Sequence, residues 1–419
     1  MKSIPLTNPP VAKDTATAKM PIKVCMHVLR DACHDVRAIR AGTTLIQEGF
    51  DVSIIDVQHD RSRPSKEDVQ GLHMNHLLIP GWFTSRRSQL WFFIIALRTF
   101  MLSIVRLVQS RADIYHASEL TALPACCIVA VLRRKPLVYE AYELPIPYPE
   151  TSVAFWRKSA KFLNHFLAFV LPRCAAVIAT SPFHAREMQK HFHLKDICLL
   201  RNIPPYKAVQ KSDLLRQQLG LNPDIRIALY QGNIQSDRGL DKLVRTAKFL
   251  EQNTVIVMMG KGSKEILSEL ESLIASEEVT DRVKIIPPVP YEELLAWTAS
   301  ADIGLSVLPP DYSLRIQLCL PNKVFEYLMA GVPVLATQLD AVQEIIQTYD
   351  VGRIVPSAEP KDIGAAINAM LADREALARM SRNALEAAER DLCWEKESNE
   401  LIGLYQKILY SRCGFGGAV

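Results

Sequence analysis

The sequence PNKVFEYLMAGVPVLATQ, residues 321–338, places a proline before an amide and a lysine, followed by a mainly apolar run that ends at a glycine. Pro321 suits the first position of a helix, because the N–H that it lacks would have no partner there. Gly331 suits the residue just past the helix, and Pro333 prevents its continuation. The pattern predicts a short helix followed by a strand.

Charged residues lie on only one side of this predicted helix. At about 100° per residue, the polar side holds Asn322, Lys323, Glu326 and Ala330, and the apolar side holds Val324, Phe325, Leu328 and Met329. Free N–H groups at a helix start favour an anion, and Lys323 adds positive charge beside them. Glu326 is placed to accept hydrogen bonds from hydroxyl groups of the same ligand. The pair predicts a site for a phosphate with an attached sugar; the alternative is a solvated helix face.

Short β-branched runs alternate with helix-like segments on both sides of this helix. The second half of the chain has runs at 226–232, 254–260, 283–287, 302–308, 332–338 and 352–356. The first half has runs at 23–29, 51–57, 113–117, 136–141 and 175–181, with one long helix expected between the second and the third. This alternation is typical of parallel βαβ units, whose strands are covered on both faces. The sequence therefore predicts an α/β protein.

The turn-rich segment at 201–212 separates the two series of strands. We expect a disordered N-terminal tail at 1–20, a first domain at 21–203, a second domain at 204–392, and a C-terminal segment at 393–419 whose helix crosses back to the first domain. Ligands of open α/β sheets bind beyond the carboxyl ends of the strands. The cleft between the two domains is therefore the expected ligand site.

Composition limits the class of protein. Of the 419 residues, 49% are hydrophobic and 22% charged, as in ordinary globular proteins. The net charge of +4 is too small to indicate a nucleic-acid partner. Nine cysteines without a CxxC pair argue against a disulfide framework and indicate a reducing compartment. With no uninterrupted run of about 18 apolar residues, we expect no transmembrane helix and a cytoplasmic location.

A second candidate for phosphate binding lies in YQGNIQSDRGLDKLV, residues 230–244. Gly232 ends a predicted strand and Gly239 begins a predicted helix, where the backbone can approach a ligand closely. Arg238, between them, can donate a fork of hydrogen bonds to phosphate oxygens. The alternative is a surface arginine in a polar loop.

The residues quoted so far resemble the retaining glycosyltransferases of family 4. PNKVFEYLMAGVPVLAT is similar to the donor-binding helix of that family, and similar pieces at 34–56, 230–244 and 286–310 extend the resemblance over most of the chain. The resemblance implies the GT-B fold, in which two Rossmann-like doubly wound parallel-sheet domains face each other across a cleft. It also implies that Glu326 binds the ribose or sugar of a nucleotide-sugar donor. The same resemblance assigns the donor phosphates to Gly232, Arg238, Asn322 and Lys323.

Two stretches of the first domain, DIYHASELTALPA (113–125) and LVYEAYELP (137–145), resemble the acceptor-side loops of the same family. The resemblance implies catalytic roles for His116 and Glu119. Glu143, Asp35 and Arg37 are expected on the acceptor side of the cleft. The alternatives are a structural histidine at a strand edge, a carboxylate at a helix start and a capping aspartate.

Three positions depart from the family pattern. Leu318 replaces a glutamate that often lies near the donor sugar, and Ser118 and Tyr142 stand where histidines are common. The expected function is transfer of a glycosyl group to an acceptor hydroxyl, with retention of configuration, in the synthesis of a surface polysaccharide or glycoconjugate. A catalytically silent binding subunit and a nucleotide-sugar epimerase remain as alternatives.

No cofactor or metal is expected. The sequence has no DxD triplet, no HExxH and no spaced Cys/His cluster, whereas a metal bound to a pyrophosphate needs carboxylate ligands. The GKG at 260–262 lacks the third glycine of a dinucleotide fingerprint. Arg238, Lys323 and the start of the helix at Pro321 are expected to stabilise the leaving diphosphate instead.

Two segments, 82–111 and 155–173, are basic, rich in aromatic residues and free of Asp and Glu. In the first, the polar residues occupy one arc of about 140° at helical spacing: they are Arg98, Thr99, Ser103, Arg106, Gln109 and Ser110. Basic amphipathic helices bind anionic membranes. We expect one face to pack on the first sheet and the basic rim to touch the inner face of a membrane, which suits a lipid-linked or glycan acceptor. The alternative is that both segments are ordinary crossover helices.

Overall fold

The computed structural model describes residues 21–32, 35–60, 62–79, 89–146, 154–309 and 314–412. The predicted N-terminal tail at 1–20 and the first part of the predicted membrane segment, 82–88, lie outside the described residues.

The first half of the chain folds around an eight-stranded sheet of order β3-β4-β2-β1-β5-β6-β7-β8, in which only the β3–β4 pair is antiparallel. Its elements are β1 (Lys23–Val28), α1 (Val36–Gln47), β2 (Asp51–Gln58), β3 (Lys66–Val69), β4 (Leu72–Leu78), α2 (Gln89–Ser110), β5 (Ile114–Ser118), α3 (Leu123–Arg133), β6 (Leu137–Ala141), α4 (Ala154–Val170), β7 (Ala176–Ala179), α5 (Pro182–Phe192) and β8 (Cys198–Leu199). Every residue of β5 and β6 is buried, because helices cover both faces of the sheet.

The second half folds around a six-stranded parallel sheet of order β11-β10-β9-β12-β13-β14. Its elements are α6 (Leu214–Leu219), β9 (Arg226–Gln231), α7 (Leu240–Thr246), β10 (Thr254–Met259), α8 (Lys264–Ser276), β11 (Val283–Ile286), α9 (Tyr291–Thr298), β12 (Ile303–Ser306), α10 (Leu314–Gln317), α11 (Asn322–Met329), β13 (Val334–Thr337), α12 (Asp340–Tyr349), β14 (Gly352–Val355), α13 (Pro360–Ala372), α14 (Arg374–Arg390) and α15 (Trp394–Arg412). Each sheet has one apolar cluster on either face. The predicted fold class, two doubly wound parallel-sheet domains, is confirmed.

The sequence analysis missed the β3–β4 hairpin, which lies between the second and third predicted strands. Its turn is formed by Gln70 and Gly71, both with positive φ. In β4, buried and more exposed positions partly alternate. Its polar residues make this part of the sequence resemble a helix more than a buried strand. The two-residue β8 was also too short to predict from its sequence.

The last helix, α15, packs on the first sheet. Tyr405 lies in the apolar cluster that α1 forms with that sheet. Trp394 Nε1 donates a hydrogen bond to Thr44 Oγ1 at 3.0 Å, and Glu397 accepts one from Arg201 Nη2 at 2.7 Å. The chain therefore returns from the second half to pack on the first sheet.

Helix α2 is oriented differently from the expectation. Thr99 and Ser103, which were expected on a basic rim, are buried against the domain together with Leu107. The apolar side of the helix faces outward instead. The window Phe93–Ser110 is long and apolar enough to cross a membrane by length and composition alone, with a mean hydropathy of 1.5 and 17% of it buried. Because α2 packs along α3 and against the sheet, we treat it as a helix of this domain.

Candidate active site

Helix α11 carries the polar groups that the sequence predicted for the donor side. Pro321 immediately precedes the helix, one position earlier than expected. Gly331 follows its end with a φ of 67°, a conformation that glycine adopts without steric cost. Asn322 is exposed at the first position, where N–H groups lack helical partners. The start of the helix is therefore available to an anion.

Tyr327 attaches α11 to the second sheet. Its hydroxyl lies 2.9 Å from the carbonyl oxygen of Leu229 and 3.3 Å from that of Leu305, and it accepts a hydrogen bond from the N–H of Gln231 at 3.1 Å. A Cβ on Gly304 would lie 2.5 Å from the tyrosine ring. The absence of a side chain there lets the helix seat closely on the carboxyl ends of the strands.

Lys323 lies over the glycine turn that follows β9. Its Nζ is 3.6 Å from the ring centroid of Tyr230, and a Cβ on Gly232 would lie 3.8 Å from the same nitrogen. Gly232 has a φ of 123°, and its carbonyl oxygen leaves no space for a Cβ on Gly260, which would approach to 1.7 Å. Gly232 therefore brings backbone close to the lysine, and Gly260 allows the backbone of Gly232 to pack against it.

The environment of Lys323 disfavours its positive charge. Burial, and then the nearby Arg238, lower the pKa of Lys323 to about 7, although Glu326 opposes the shift. Within the part of the chain that the structure describes, Arg238 donates a hydrogen bond to Gln235 Oε1 at 3.3 Å and forms an ion pair with Asp237 at 3.4 Å. Two cations thus lie close together, and an anion between them would stabilise both charges.

Glu326, one turn further along α11, is held by side chains of the sheet. Gln231 Nε2 donates to its Oε2 at 2.6 Å, and Thr298 Oγ1 donates to Gln231 Oε1 at 2.7 Å. Burial raises the pKa of Glu326, while Gln231, Lys323 and Arg40 act in the opposite direction. The carboxyl group is oriented by these contacts and lies at the wall of a cavity.

That cavity has a volume of about 350 Å³. Its lining includes Pro204, Pro205, Tyr206, Tyr291, Leu294 and Glu326. Lys207 and Glu292 add charged groups to its edge. A cavity of this size, mostly apolar and with a few polar groups, has the character of a small-molecule site. Glu326, which lines the cavity, follows Lys323 by one turn of α11, so that one ligand can reach both residues.

On the acceptor side, His116 and Arg37 are bound to a shared carboxylate that the sequence analysis did not single out. Glu140 Oε1 accepts from Arg37 Nε at 2.5 Å, and Glu140 Oε2 lies 3.0 Å from His116 Nε2. The other ring nitrogen of His116 lies 2.8 Å from the hydroxyl of Tyr405. Burial alone would raise the pKa of Glu140, but Arg37 and His116 hold it below its usual value.

This placement differs from the expected position of His116 in the cleft. The imidazole is fully buried, because Glu140 on the neighbouring strand and Tyr405 on α15 occupy both of its nitrogens. Asp35 caps α1, where its side chain accepts from the N–H groups of Arg37 and Ala38 at 3.1 Å. These contacts match the structural alternatives, in which His116 is a structural histidine and Asp35 is a capping residue.

Glu119 lies at the surface of a second cavity. It forms an ion pair with Arg30, and burial raises its pKa to about 7, against the effect of Arg30 and with that of Asp35 and Glu143. Its φ of 78° lies in the left-handed region that non-glycine residues rarely adopt. Strained backbone of this kind is often found at functional sites.

The second cavity has a volume of about 310 Å³. Its lining includes Arg30, Glu119, Tyr142, Glu143, Leu144 and Leu163. Tyr142, one of the departures from the family pattern, lies with its ring centroid 4.7 Å from the guanidinium of Arg37. Leu318 is buried in the apolar cluster of the first domain, and its carbonyl oxygen accepts from Ser181 Oγ at 3.0 Å. Leu318 is therefore an interdomain packing residue.

The structure thus assembles the predicted residues in two groups. Gly232, Arg238, Asn322, Lys323 and Glu326 gather around α11. Glu119 and Glu143 share the second cavity, whereas Asp35, Arg37 and His116 lie beneath it in structural contacts. Four residues at the two sites were not predicted from the sequence: Tyr230, Gln231, Glu140 and Tyr405. Tyr230, Gln231 and Glu140 lie at or near the carboxyl ends of predicted strands, which was an available signal, but nothing in the sequence pointed to Tyr405.

Among the described residues, no group of three His, Cys, Asp or Glu side chains converges to hold a metal ion. The positive charges beside α11 are side chains of the protein itself.

Comparison with known proteins identifies the family. Residues 36–202 match the model of Glycosyltransferase Family 4, and residues 211–387 match that of Glycosyl transferases group 1. A D-inositol 3-phosphate glycosyltransferase of Xylanimonas cellulosilytica is 28% identical over 200 residues, which are 47% of this chain and 46% of the relative. The matched region is therefore about half the length of the curated relatives.

Two solved structures have the same fold. Sucrose-phosphate synthase from Thermosynechococcus elongatus superposes with a TM-score of 0.73 at 16% identity, covering 93% of this chain and 100% of the other. Anabaena Alr3699/HepE in complex with UDP and glucose superposes with a TM-score of 0.66 at 15% identity, covering 94% and 100%. The two family matches and this shared architecture lead to one assignment: the chain belongs to the family 4, group 1 glycosyltransferases and has the GT-B fold.

Proposed function

We propose that the protein transfers a glycosyl group from a nucleotide sugar to an acceptor hydroxyl, with retention of configuration and without a metal. The observation that carries the proposal is the arrangement around α11. Lys323 and Arg238 lie close together beside the free start of a helix, and Glu326 lies next to them at the wall of a cavity.

The proposed donor orientation follows from this arrangement. Its diphosphate lies between Lys323, Arg238 and the N–H groups at Asn322, where the two positive charges gain a counter-ion. Glu326, oriented by Gln231, accepts hydrogen bonds from the ribose hydroxyls. The base occupies the cavity of about 350 Å³.

In the chemical step, the bond between the anomeric carbon and the diphosphate oxygen breaks, the acceptor oxygen bonds to that carbon, and the proton of the acceptor hydroxyl passes to the leaving diphosphate. Negative charge develops on the leaving diphosphate. Fixed positive groups stabilise such charge because they need no reorganisation during the reaction. A bound phosphate also raises the pKa of Lys323 from about 7, so that the lysine is fully charged when it acts. Retention rests on the family resemblance.

The acceptor side is the second cavity. Glu119 lies there, and burial raises its pKa to about 7, so that its carboxyl group can exchange a proton near neutral pH. We assign to Glu119 the contact with the acceptor hydroxyl, and to Glu143 a place beside it. His116 acts through Glu140 as a positioning residue.

We place the protein in the cytoplasm, at the inner face of a membrane, in the synthesis of a surface polysaccharide or glycoconjugate. The support is the composition of the described parts of the two predicted membrane segments. Arg98, Arg111, Lys161 and Arg173 are exposed there, and neither segment contains Asp or Glu.

A thermal-shift experiment tests the donor site. The purified protein is melted with UDP, GDP, ADP and their common sugar conjugates, beginning with UDP because HepE was solved with it. At about one hundred times Kd, the matching nucleotide should raise the melting temperature by roughly 5 °C or more. Arg238→Ala should abolish the rise. Arg245→Ala, a matched change of an arginine on α7, should keep it.

If no nucleotide shifts the melting temperature, the donor site as proposed is wrong and a silent binding subunit becomes the better account. Turnover in the presence of EDTA tests metal independence. A rate that falls to background in EDTA and returns with added Mg²⁺ contradicts that part of the proposal.

A further inference from the structure

The outer side of the first domain exposes apolar side chains that are not part of its buried core. Helices α2, α3 and α4 follow parallel crossovers that proceed in one direction along the sheet, so they cover the same face of it. Their outward side chains, here named the outer face, are Trp91, Phe93, Ile94, Leu97, Met101, Val105 and Val108 of α2, Ile128, Val131 and Leu132 of α3, and Phe162 and Phe169 of α4. Helices α2 and α3 pack along each other, and exposed apolar side chains grouped in this way mark an interaction site.

The opposite sides of these helices already form the core. Leu107, Val129 and Leu167 are fully buried in one apolar cluster with the sheet. Leu97 of α2, in contrast, is 58% exposed, Val131 of α3 is 71% exposed and Phe162 of α4 is 77% exposed. The outer face is therefore a second apolar surface, distinct from the one that these helices bury against the sheet in the described part of the domain.

The charge around the outer face fits an anionic surface. None of α2, α3 and α4 contains an Asp or Glu. Exposed cations lie on or just beyond the three helices: Arg98, Arg111, Arg134, Lys161 and Arg173. On the other side of the same sheet, α15 carries Glu395, Glu397 and Glu400. Apolar side chains surrounded by basic ones bind the interfacial layer of anionic membranes, to which each buried methylene contributes about fourfold in affinity.

The outer face reaches the end of the domain where the second cavity lies. Helix α2 follows β4 and leads to β5, so its first turns, with Trp91 and Phe93, lie at the carboxyl ends of the strands. Glu119 and Leu144 of the cavity follow β5 and β6 at the same edge. Leu163 of α4 lines the cavity, whereas its neighbour Phe162 points outward. A single helix thus connects the cavity wall with the outer face.

The cavity itself is amphiphilic. Arg30, Glu119 and Glu143 give it a charged side, and Leu144, Ile146 and Leu163 give it an apolar side. A water-soluble sugar acceptor would leave the apolar side of the cavity without a partner. An amphiphile, with a polar headgroup and a hydrocarbon chain, can contact both the charged and the apolar side.

We propose that the outer face lies in the interfacial layer of an anionic membrane and that the acceptor is an amphiphile of that membrane, whose headgroup enters the second cavity beside Leu163. The inference rests on the proposed function, since it names the acceptor class of that reaction. It also fixes an orientation: α2 lies along the membrane surface with its cleft end next to the reacting headgroup.

The membrane contact is tested with vesicles of phosphatidylcholine, with and without phosphatidylglycerol. The wild-type chain should co-sediment with the anionic vesicles in a salt-sensitive manner. The double variant Leu97→Asp, Met101→Asp should lose at least about tenfold in affinity. Tyr410→Asp changes an aromatic residue that is 71% exposed on α15, on the opposite side of the sheet, and should bind like the wild type. Equal binding of all three proteins contradicts the membrane contact.

The acceptor is tested with radiolabelled nucleotide sugar and vesicles made from the lipid extract of the cells that produce the protein. Label should enter the organic phase, and the double variant should transfer at most about a tenth as much while its thermal shift with the donor nucleotide is unchanged. That unchanged shift shows that the variant is folded. Label that appears only in water-soluble product, or no transfer despite intact donor binding, overturns the inference. Absence of donor binding in the wild type overturns the proposed function instead.

Discussion

Two sheet edges face each other across the cleft, and they differ in where their charges find partners. At the donor edge, Lys323 rests on the ring of Tyr230 and lies near the like charge of Arg238. At the acceptor edge, Arg37 and His116 are both bound to the buried Glu140. The first arrangement leaves positive charge for a ligand, and the second neutralises it within the protein.

The comparison separates binding from stability. A buried cation whose partner is a bound ligand contributes little to the stability of the free protein, because its burial is unfavourable until an anion binds. A buried cation that is paired with a carboxylate of the protein is different: loss of that carboxylate strongly lowers the free energy of unfolding. Substitutions at the two edges should therefore affect different measurements.

The largest expected effect is on stability at the acceptor edge. Glu140→Gln removes the charge that balances Arg37 and leaves a buried cation, which typically costs about 3–5 kcal/mol. In a domain of this size, the loss should lower the melting temperature of the first domain by roughly 10 °C in calorimetry. The thermal shift caused by the donor nucleotide should persist.

Tyr405→Phe is the matched control in the same network. It removes a neutral hydroxyl 2.8 Å from His116 and should cost only about 1 kcal/mol. If Glu140→Gln is no more destabilising than Tyr405→Phe, Glu140 does not balance the buried charge of Arg37.

The second effect is on turnover at the donor edge. Lys323→Ala removes a positive charge from the site of the leaving diphosphate, and loss of one such group typically lowers kcat by about 10²–10³-fold. Stability should stay the same or rise, because the lysine is held in surroundings that lower its pKa to about 7. Initial rates and calorimetry on the same preparation measure both quantities.

An exposed lysine at the start of α8 provides the control for this variant. Lys264→Ala changes the same residue type in the same domain and should alter neither rate nor stability. A Lys323→Ala protein that loses stability but keeps its rate would show that the lysine is part of the fold and not of the site.

The contrast also explains what the sequence allowed us to predict. The boundaries of α11 depend on Pro321 and Gly331, and its polar side follows from helical spacing. These are local signals, and they predicted the donor edge apart from Tyr230 and Gln231. The partner of His116 on α15 is Tyr405, 289 residues away. No local pattern reports such a pairing.

The predicted orientation of helix α2 was wrong for a related reason. Its spacing correctly separates a polar arc from an apolar one, but spacing does not say which arc faces the core. Thr99 and Ser103 are small enough to lie against the domain, so the larger apolar side chains face outward. The orientation depends on the shape of the surface beneath the helix, which only the folded sheet and α3 define.

The smallest effect concerns Glu119, which lines the second cavity together with Glu143. Its pKa is raised from an ordinary 4.5 to about 7, mainly by burial, because Arg30 opposes the shift only in part. The folded protein therefore binds more protons than the unfolded chain between these two pH values. The stability that this group contributes is present below about pH 4.5 and is lost as the pH rises through 7. Glu119→Gln imitates the protonated form at every pH. The melting temperature of the wild type, relative to this variant, should fall between about pH 5 and pH 8, and a difference that stays constant over this range would place Glu119 among ordinary surface carboxylates.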